Sequence, residues 1–458
     1  MNFDPGNFRE YLAKGEKARL FAVVSDGSKE QRACSALLSC FMAVPDLAKE
    51  LLRELGAPAT QRAEIHCFTE PVFKAQEDKK LRPDGLIVVK RGDTTWTAFV
   101  EAKVGKNYVD ASQLESYLKL ARELEFNAVI SISNQFTSKP SLHPVSVNGH
   151  LLRKLGLFHW SWVSLRSKAI LMAHDEGIED REQAYIVSEL LRYLDHKSSG
   201  ISDFESMGSR WKELCDAVRN EVPLSKSGVP ESEAISDWHQ LLRWLSLDLS
   251  TKVGEVVDVY SPRALRNDPS KRVDTDLDSL KVHQKLAGAL EIPHASSRLY
   301  LEVSLPKRTV TVAMWVNGPQ DKTYSSACQT WIRSQIDHCE DRSLRITAVY
   351  PRNTQNVEKT LEQIRNDKDA LTSTDKRRLP VGYWVRRVVP LGQSFTSRKK
   401  FVSSISDVTT SYYQEVGECL SNWVPPAPKV NRPQLADADS FDEEDECEGG
   451  RALYDEPD

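Results

Sequence analysis

The sequence predicts an α/β protein: a mixed sheet flanked by helices, then a second α/β domain and a disordered acidic tail. Three observations predict it. Strand-like apolar runs alternate with helical patterning over residues 25–195 and again after residue 251. At 458 residues the chain exceeds one ordinary core. Residues 437–458 hold eleven acidic side chains against one basic residue, Arg451, with no apolar periodicity. The expected segments are 1–196, a connection over 197–250, a second domain over 251–424, and a tail over 425–458.

Taken in order, Ser28 opens a helix, because Ser28 to Gln31 has capping-box spacing and Leu37, Leu38, Phe41 and Met42 follow as a stripe. Pro45 interrupts it and Asp46 opens a second helix, DLAKELLREL. IHCFTEPVF reads as a strand, and LRPDGLIVVKRGDTTWTAFVEAKVG (81–105) as a hairpin. A helix is expected from Asp110 to about Leu124, then a buried strand in FNAVISIS and another in GLFHWSWVSL. One long helical pattern fills 164–195, and KSSGISDFESMG reads as a linker into two helices separated by VPLSKSGVPESE. Farther on, RLYLEVSLPKRTVTVAMWV predicts a hairpin turning at Pro306–Lys307, SLRITAVYP a strand, and NVEKTLEQIRND a helix. From Pro425 the chain is expected to be disordered.

Composition narrows the classes. With 40% hydrophobic and 28% charged residues the chain reads as globular, and its weakly polar run Ala33–Val44 is too short to span a bilayer. The start, MNFDPGNFREY, lacks the basic-then-apolar order of a secretory signal. Eight scattered cysteines without a CxxC pair predict reduced thiols and a cytoplasmic location, not a zinc or disulfide framework. The ten histidines form no HxH or HExxH, and Walker A, GxGxxG and GxSxG are absent from the sequence. The net charge of −5 conceals a body with 60 basic and 55 acidic residues, mildly positive and permissive of a polyanionic partner.

The hairpin carries the chemistry. Gly92–Asp93 suits a two-residue type II′ turn, so Arg91 faces Thr94 and Asp84 faces Glu101. Directly opposed Cβ atoms lie about 5 Å apart. Period-two alternation brings Lys103 to the same face as Glu101. The remaining positions are apolar on both faces, with Ile87, Val89, Trp96 and Ala98 on one and Leu86, Val88 and Phe99 on the other. A strand buried on both sides rarely carries unexplained charge. Two close carboxylates call for a cation, and Mg²⁺ favours one or two carboxylates plus water and phosphate oxygens.

This pattern, Pro83-Asp84 followed by Glu101-Ala102-Lys103, resembles the PD-(D/E)XK nuclease superfamily. Gln113 and Tyr117, in QLESY, match the QxxxY signature of its RecB-like and lambda-exonuclease-like branch. The resemblance covers roughly residues 25–190. It implies a restriction-endonuclease-like sheet, Mg²⁺ (or Mn²⁺) held by Asp84, Glu101 and the Ala102 carbonyl, and Lys103 as the catalytic lysine. Glu30 and Glu70 stand where that superfamily often has a further acid. Each residue also has a structural reading. Gln113 follows Asp110 as the third residue of a capped helix, Tyr117 sits beside Leu114 and Leu118, Glu30 complements a helix dipole, and Glu70 is a strand-end charge.

Residues 376–400 contain eight basic residues and no acid. The clusters Lys376-Arg377-Arg378 and Arg398-Lys399-Lys400 are expected to contact phosphate, while Tyr383 and Trp384 read as an ordinary core strand. The acidic tail could fold back on this stretch or simply solubilise the chain. The expected function is a cytoplasmic, divalent-metal-dependent deoxyribonuclease, used in defence against foreign DNA or in repair, with a protein partner or second copy bound through the C-terminal domain. The alternative is a catalytically silent nucleic-acid-binding or scaffold protein that keeps the fold.

Overall fold

The strand-like runs assemble into two sheets in the computed structural model, which describes residues 12–18, 28–74, 81–137, 139–174, 178–265, 268–351, 354–375 and 378–425. The first sheet is built from β1 (Leu12–Lys17), β2 (Glu64–Phe73), β3 (Gly85–Arg91), β4 (Thr94–Ala102), β5 (Ala128–Ser133) and β6 (Gly156–Ser161), in that spatial order. Neighbours from β1 to β4 are antiparallel, whereas β4, β5 and β6 run parallel. It is a mixed sheet, and β4 is the strand at which the sense changes.

Both faces are covered, as the two-sided apolar pattern requires. On one face α1 (Lys29–Ala43), α2 (Pro45–Arg53), α4 (Trp162–His174) and α5 (Arg181–Asp195) enclose Ile87, Val89, Trp96 and Ala98. On the other, α3 (Ala111–Glu123) packs Leu114, Tyr117 and Leu118 on Leu86, Val88 and Phe99. The turn places Gly92 at φ 56°, a conformation that a side chain would strain. Arg91 pairs with Thr94 and Gly85 with Val100, the register expected from the turn.

Three local readings are corrected. Ser28 does precede α1, but its side chain makes no capping hydrogen bond, and the Gln31 side chain reaches across to Glu70. Pro45 is the first residue of α2, where its missing N–H costs nothing. The pattern over 164–195 is two helices, the second restarted by Asp180, whose side chain accepts from the backbone N–H groups of Glu182 and Gln183.

The second half adds α6 (Trp211–Arg219), α7 (Val229–Val253), β7 (Asp258–Val259), α8 (Pro269–His283), β8 (Lys285–Glu291), β9 (Leu299–Ser304), β10 (Thr309–Asn317), α9 (Ser325–Ile336), β11 (Leu344–Val349), β12 (Val357–Thr360), α10 (Leu361–Asn366), β13 (Gly382–Pro390) and α11 (Arg398–Glu415). Its seven strands form an antiparallel sheet in the order β12-β11-β13-β10-β9-β8-β7. Ser304 pairs with Thr309, so that hairpin turns at Pro306–Lys307 as expected. NVEKTLEQIRND is half strand and half helix, since β12 pairs with β11 and Thr360 then starts α10 with a capping box to Gln363. Tyr383 and Trp384 do lie in a central core strand, β13.

The segment after α5 is stitched to both halves. The Gly200 carbonyl accepts from Gly105 N–H at 2.6 Å and from Asn134 Nδ2 at 3.0 Å, and Gly208 N–H donates to Asp237 at 2.5 Å. Contacts gather the chain up to Trp423 into one unit. Among the described residues, no helix is long and apolar enough to cross a membrane. The acidic tail, like Lys376 and Arg377, lies outside the described residues.

Candidate active site

The site forms at the end of the β3–β4 hairpin. Asp84 stands one residue before β3, and its Oδ2 accepts from the Ala102 N–H at 2.8 Å, so the last bond of the ladder is made by a side chain. Glu101, 2% exposed, places Oε1 2.5 Å from Lys103 Nζ and 2.8 Å from Gln113 Nε2. Gln113 also donates to the Tyr117 hydroxyl at 3.0 Å, and that hydroxyl donates to the Arg82 carbonyl at 3.2 Å. Residues four apart on a helix share a face, which is how α3 presents both side chains to β4. Its start is fixed by Asp110, whose carboxylate accepts from Gln113 N–H at 2.9 Å.

Glu30, in the first turn of α1, closes the other side. Its Oε2 lies 3.9 Å from Lys103 Nζ, and its Oε1 accepts from Asn107 Nδ2 at 2.8 Å and from Val104 N–H at 3.5 Å. Gly85 makes this approach possible. A Cβ there would lie 2.5 Å from Leu38 Cδ1 and 3.1 Å from Cys34 Sγ, so only glycine lets α1 sit this close to the hairpin. Trp162, fully buried, donates from Nε1 to the Lys103 carbonyl at 2.9 Å and fixes the backbone that carries the lysine.

Glu70 is placed differently. It sits at φ 49°, and its backbone N–H donates to the Asp84 carbonyl at 3.0 Å. Its Oε1 is taken by Gln31 Nε2 at 2.6 Å and Arg82 Nη2 at 2.7 Å. Among the described residues, no hydrogen bond or ion pair joins Glu70 to Glu101 or Lys103.

The electrostatics are those of a crowded anionic pocket. Burial raises the Asp84 carboxyl, neighbouring Glu101 raises it further, and the Ala102 N–H and Lys103 act against both. Burial likewise raises Glu101, opposed by Lys103. Burial alone would lower the Lys103 ammonium, but Glu101, Glu30 and Asp84 more than reverse it, leaving it raised. Lys103 is therefore the resident cation of the pocket.

Among the described residues, no three histidine, cysteine, aspartate or glutamate side chains gather as a metal-binding group. The donor set on offer is a carboxylate pair, Asp84 and Glu101, which suits Mg²⁺ with water and phosphate completing its shell. One observation bears directly on the fit. Glu101 Oε2 is buried and has no hydrogen-bond partner among the described residues. An unsatisfied buried carboxylate oxygen is costly unless something ligates it. The Ala102 N–H is taken by Asp84, and the carbonyl of the same residue is the ligand that the resemblance assigns.

The neighbouring strands extend the row, since Glu101 pairs with Ser131 and Ser131 with His159. The Ser131 hydroxyl lies 2.7 Å from both His143 Nε2 and His159 Nδ1. His159 Nε2 faces the Gln135 carbonyl at 3.0 Å, so Nε2 carries the proton and Nδ1 accepts from Ser131. His143 Nδ1 lies 3.0 Å from the Val145 carbonyl and 3.1 Å from the Val145 N–H, which pins the ring against Ser131. Burial lowers both rings, His159 to about 3, so they serve as neutral, mutually satisfied supports.

The basic clusters belong to the second half. Arg378 faces Asp375 at 3.5 Å, Arg398 Nε donates to the Met207 carbonyl at 2.7 Å, Lys399 lies 3.6 Å from Glu205, and Lys400 is exposed in the first turn of α11. Arg387, from the same stretch, is buried against Asp341 and Glu415 at 2.5 and 2.6 Å and braces the core. No hydrogen bond or ion pair joins any of them to Asp84, Glu101 or Lys103 among the described residues.

Sequence reading missed Gly85, Trp162, Gln31, Arg82 and Asn107. Only Gly85, directly after Pro83-Asp84, carried a local signal. No family model, curated protein or solved structure matches the chain.

Proposed function

We propose that the protein is a divalent-metal-dependent nuclease of PD-(D/E)XK type that hydrolyses phosphodiester bonds of DNA. The observation that carries the reading is the free, buried Oε2 of Glu101 beside Asp84, in a pocket whose other wall is Lys103, Gln113 and Tyr117. Asp84, Glu101 and the Ala102 carbonyl would hold Mg²⁺ or Mn²⁺. When bound, the metal lowers the pKa of water and offsets phosphate charge.

The chain's own residues do the rest. Gln113 donates to Glu101 Oε1 and so fixes which oxygen stays free, while Tyr117 fixes Gln113. Lys103, held protonated, offers a positive charge to the phosphate and a donor to orient water. Glu30 anchors Asn107 and with it the loop leading to α3. Glu70 braces Arg82 and Gln31 and is assigned no part in the chemistry. A DNA substrate, a cytoplasmic setting, and a use in defence or repair complete the proposal.

The test is cleavage of linear and circular DNA with Mg²⁺, Mn²⁺ or EDTA, beside Lys103→Ala. Metal-dependent cutting that the variant lacks is the expected result, and the circular substrate separates endo- from exonuclease action. DNA binding without cutting by the wild type in any metal would instead favour the silent scaffold.

A further inference from the structure

A second cavity, of about 1460 Å³, lies away from the hairpin between the two halves of the fold. One wall comes from α2, α4 and residues 135–137 and 139–144 after β5, the other from α7, β7 and α8. Its volume exceeds the few hundred to about 1,000 Å³ typical of small-molecule sites, so a nucleotide-sized ligand fits with solvent.

Four cations line it, Lys139, Lys168, Arg243 and Arg272, beside the carboxylates of Glu50, Glu54, Glu255, Asp258 and Glu291, and the last three cations lie deeper than their partners. Lys168, Arg243 and Arg272 are 20, 16 and 17% exposed, whereas the carboxylates of Glu54, Asp258 and Asp276 are 40, 67 and 29% exposed. Both arginine pairings are loose, 3.4 Å for Arg243 to Asp258 and 3.8 Å for Arg272 to Asp276, against the usual 2.7–2.9 Å of a charge-assisted bond. Asp276 is also shared with His239, whose Nε2 lies 2.6 Å away. Arg243 Nε is buried with no hydrogen-bond partner among the described residues, and so is Ser261 Oγ. Burial disfavours charge on all three of these cations, and at Lys168 Glu50 and Asp258 oppose the depression while Arg243 adds to it. Desolvated cations on one cavity, one of them with a buried N–H that has no acceptor among the described residues, are the makings of an anion site. The same cavity has an apolar wall in Phe136, Leu142, Leu171 and Met172, which a bare inorganic ion would leave unused.

We infer that this cavity binds a small organic phosphate of nucleotide size, its phosphates on Lys168, Arg243 and Arg272 and its organic part on the apolar wall. The inference is independent of the cleavage reading, since none of these residues belongs to the hairpin site.

The test is calorimetric titration of the full chain with ATP and with inorganic pyrophosphate. Saturable ATP binding, tighter than pyrophosphate, is expected, with affinity lowered about tenfold or more in Arg243→Gln and in Lys168→Gln. Pyrophosphate binding as tight as ATP would remove the organic part of the inference. No saturable binding of either at millimolar concentration, or binding unchanged in both variants, would overturn it. So would displacement of ATP by short duplex DNA that binds with the same dependence on Arg243, which would make the cleft a nucleic-acid groove. If the variants fail to fold, hydrogen exchange on the wild type decides. ATP should protect segments 139–144 and 236–243, and protection elsewhere or nowhere refutes the site.

Discussion

Replacing Lys103 with methionine removes the one ammonium within 2.5 Å of a carboxylate that is 2% exposed. Glu101 Oε1 would keep Gln113 at 2.8 Å, and Oε2 would still have nothing. Breaking one side of a buried pair typically costs about 3–5 kcal/mol, because the remaining charge stays desolvated. That cost has a ceiling, since Glu101 can take up a proton. From an ordinary glutamate pKa of about 4.3, protonation costs about 5 kcal/mol at pH 8 but only about 2 kcal/mol at pH 6. Urea unfolding in EDTA should therefore find Lys103→Met less stable than wild type by about 3–5 kcal/mol at pH 8 and by no more than about 2 kcal/mol at pH 6. The sign follows from proton counting, because the folded variant holds a proton that the unfolded chain has released, so its stability falls as pH rises. A penalty that stays flat from pH 6 to pH 8, or below about 0.5 kcal/mol throughout, would mean that Glu101 does not depend on Lys103, and the reasoning would fail.

Three further outcomes are expected. Gly85→Ala puts a Cβ 2.5 Å from Leu38 Cδ1 and should cost about 1–3 kcal/mol in urea midpoint analysis, and less than that when introduced into a Leu38→Ala background. Wild-type stability in EDTA should fall as pH rises above the ordinary carboxylate range, since burial raises both Asp84 and Glu101. Scanning calorimetry from pH 5 to pH 8 should show Asp84→Asn flattening that slope and abolishing the stabilisation by Mg²⁺, about 1.4 kcal/mol at tenfold its Kd. Glu70→Gln loosens a partly exposed pair with Arg82 and should cost under about 1 kcal/mol while leaving DNA cleavage intact, and a dead enzyme would return Glu70 to the chemistry.

The core of the site was legible because a two-residue turn fixes register arithmetically, and register puts Asp84 opposite Glu101. Gln113 and Tyr117 were legible for a related reason, as the spacing of a helix face is periodic and Asp110 marks where that helix starts. Contacts that depend on tertiary placement were not. Nothing in the sequence places Trp162 on the Lys103 carbonyl or directs Gln31 away from its own helix cap toward Glu70. Capping-box spacing at Ser28 misled, whereas the same spacing at Thr360 is satisfied in place. A run of basic letters was equally ambiguous, because Arg387 braces a core while Lys400 meets solvent.

The hairpin also makes the contacts of the site unequal in the chain entropy they cost. The bond between Ala102 and Asp84 spans 18 residues and that between Lys103 and Glu101 only two, so both come with the hairpin itself. Gln113 joins from 12 residues away when α3 docks. The bond from Asn107 to Glu30 spans 77 residues, and closing that longer loop costs roughly 1.3 kcal/mol more chain entropy than closing the 18-residue one. The two repelling carboxylates and the lysine that makes their meeting tolerable thus all lie within one hairpin and the residue that follows it, so the offsetting charge is as local in sequence as the repulsion.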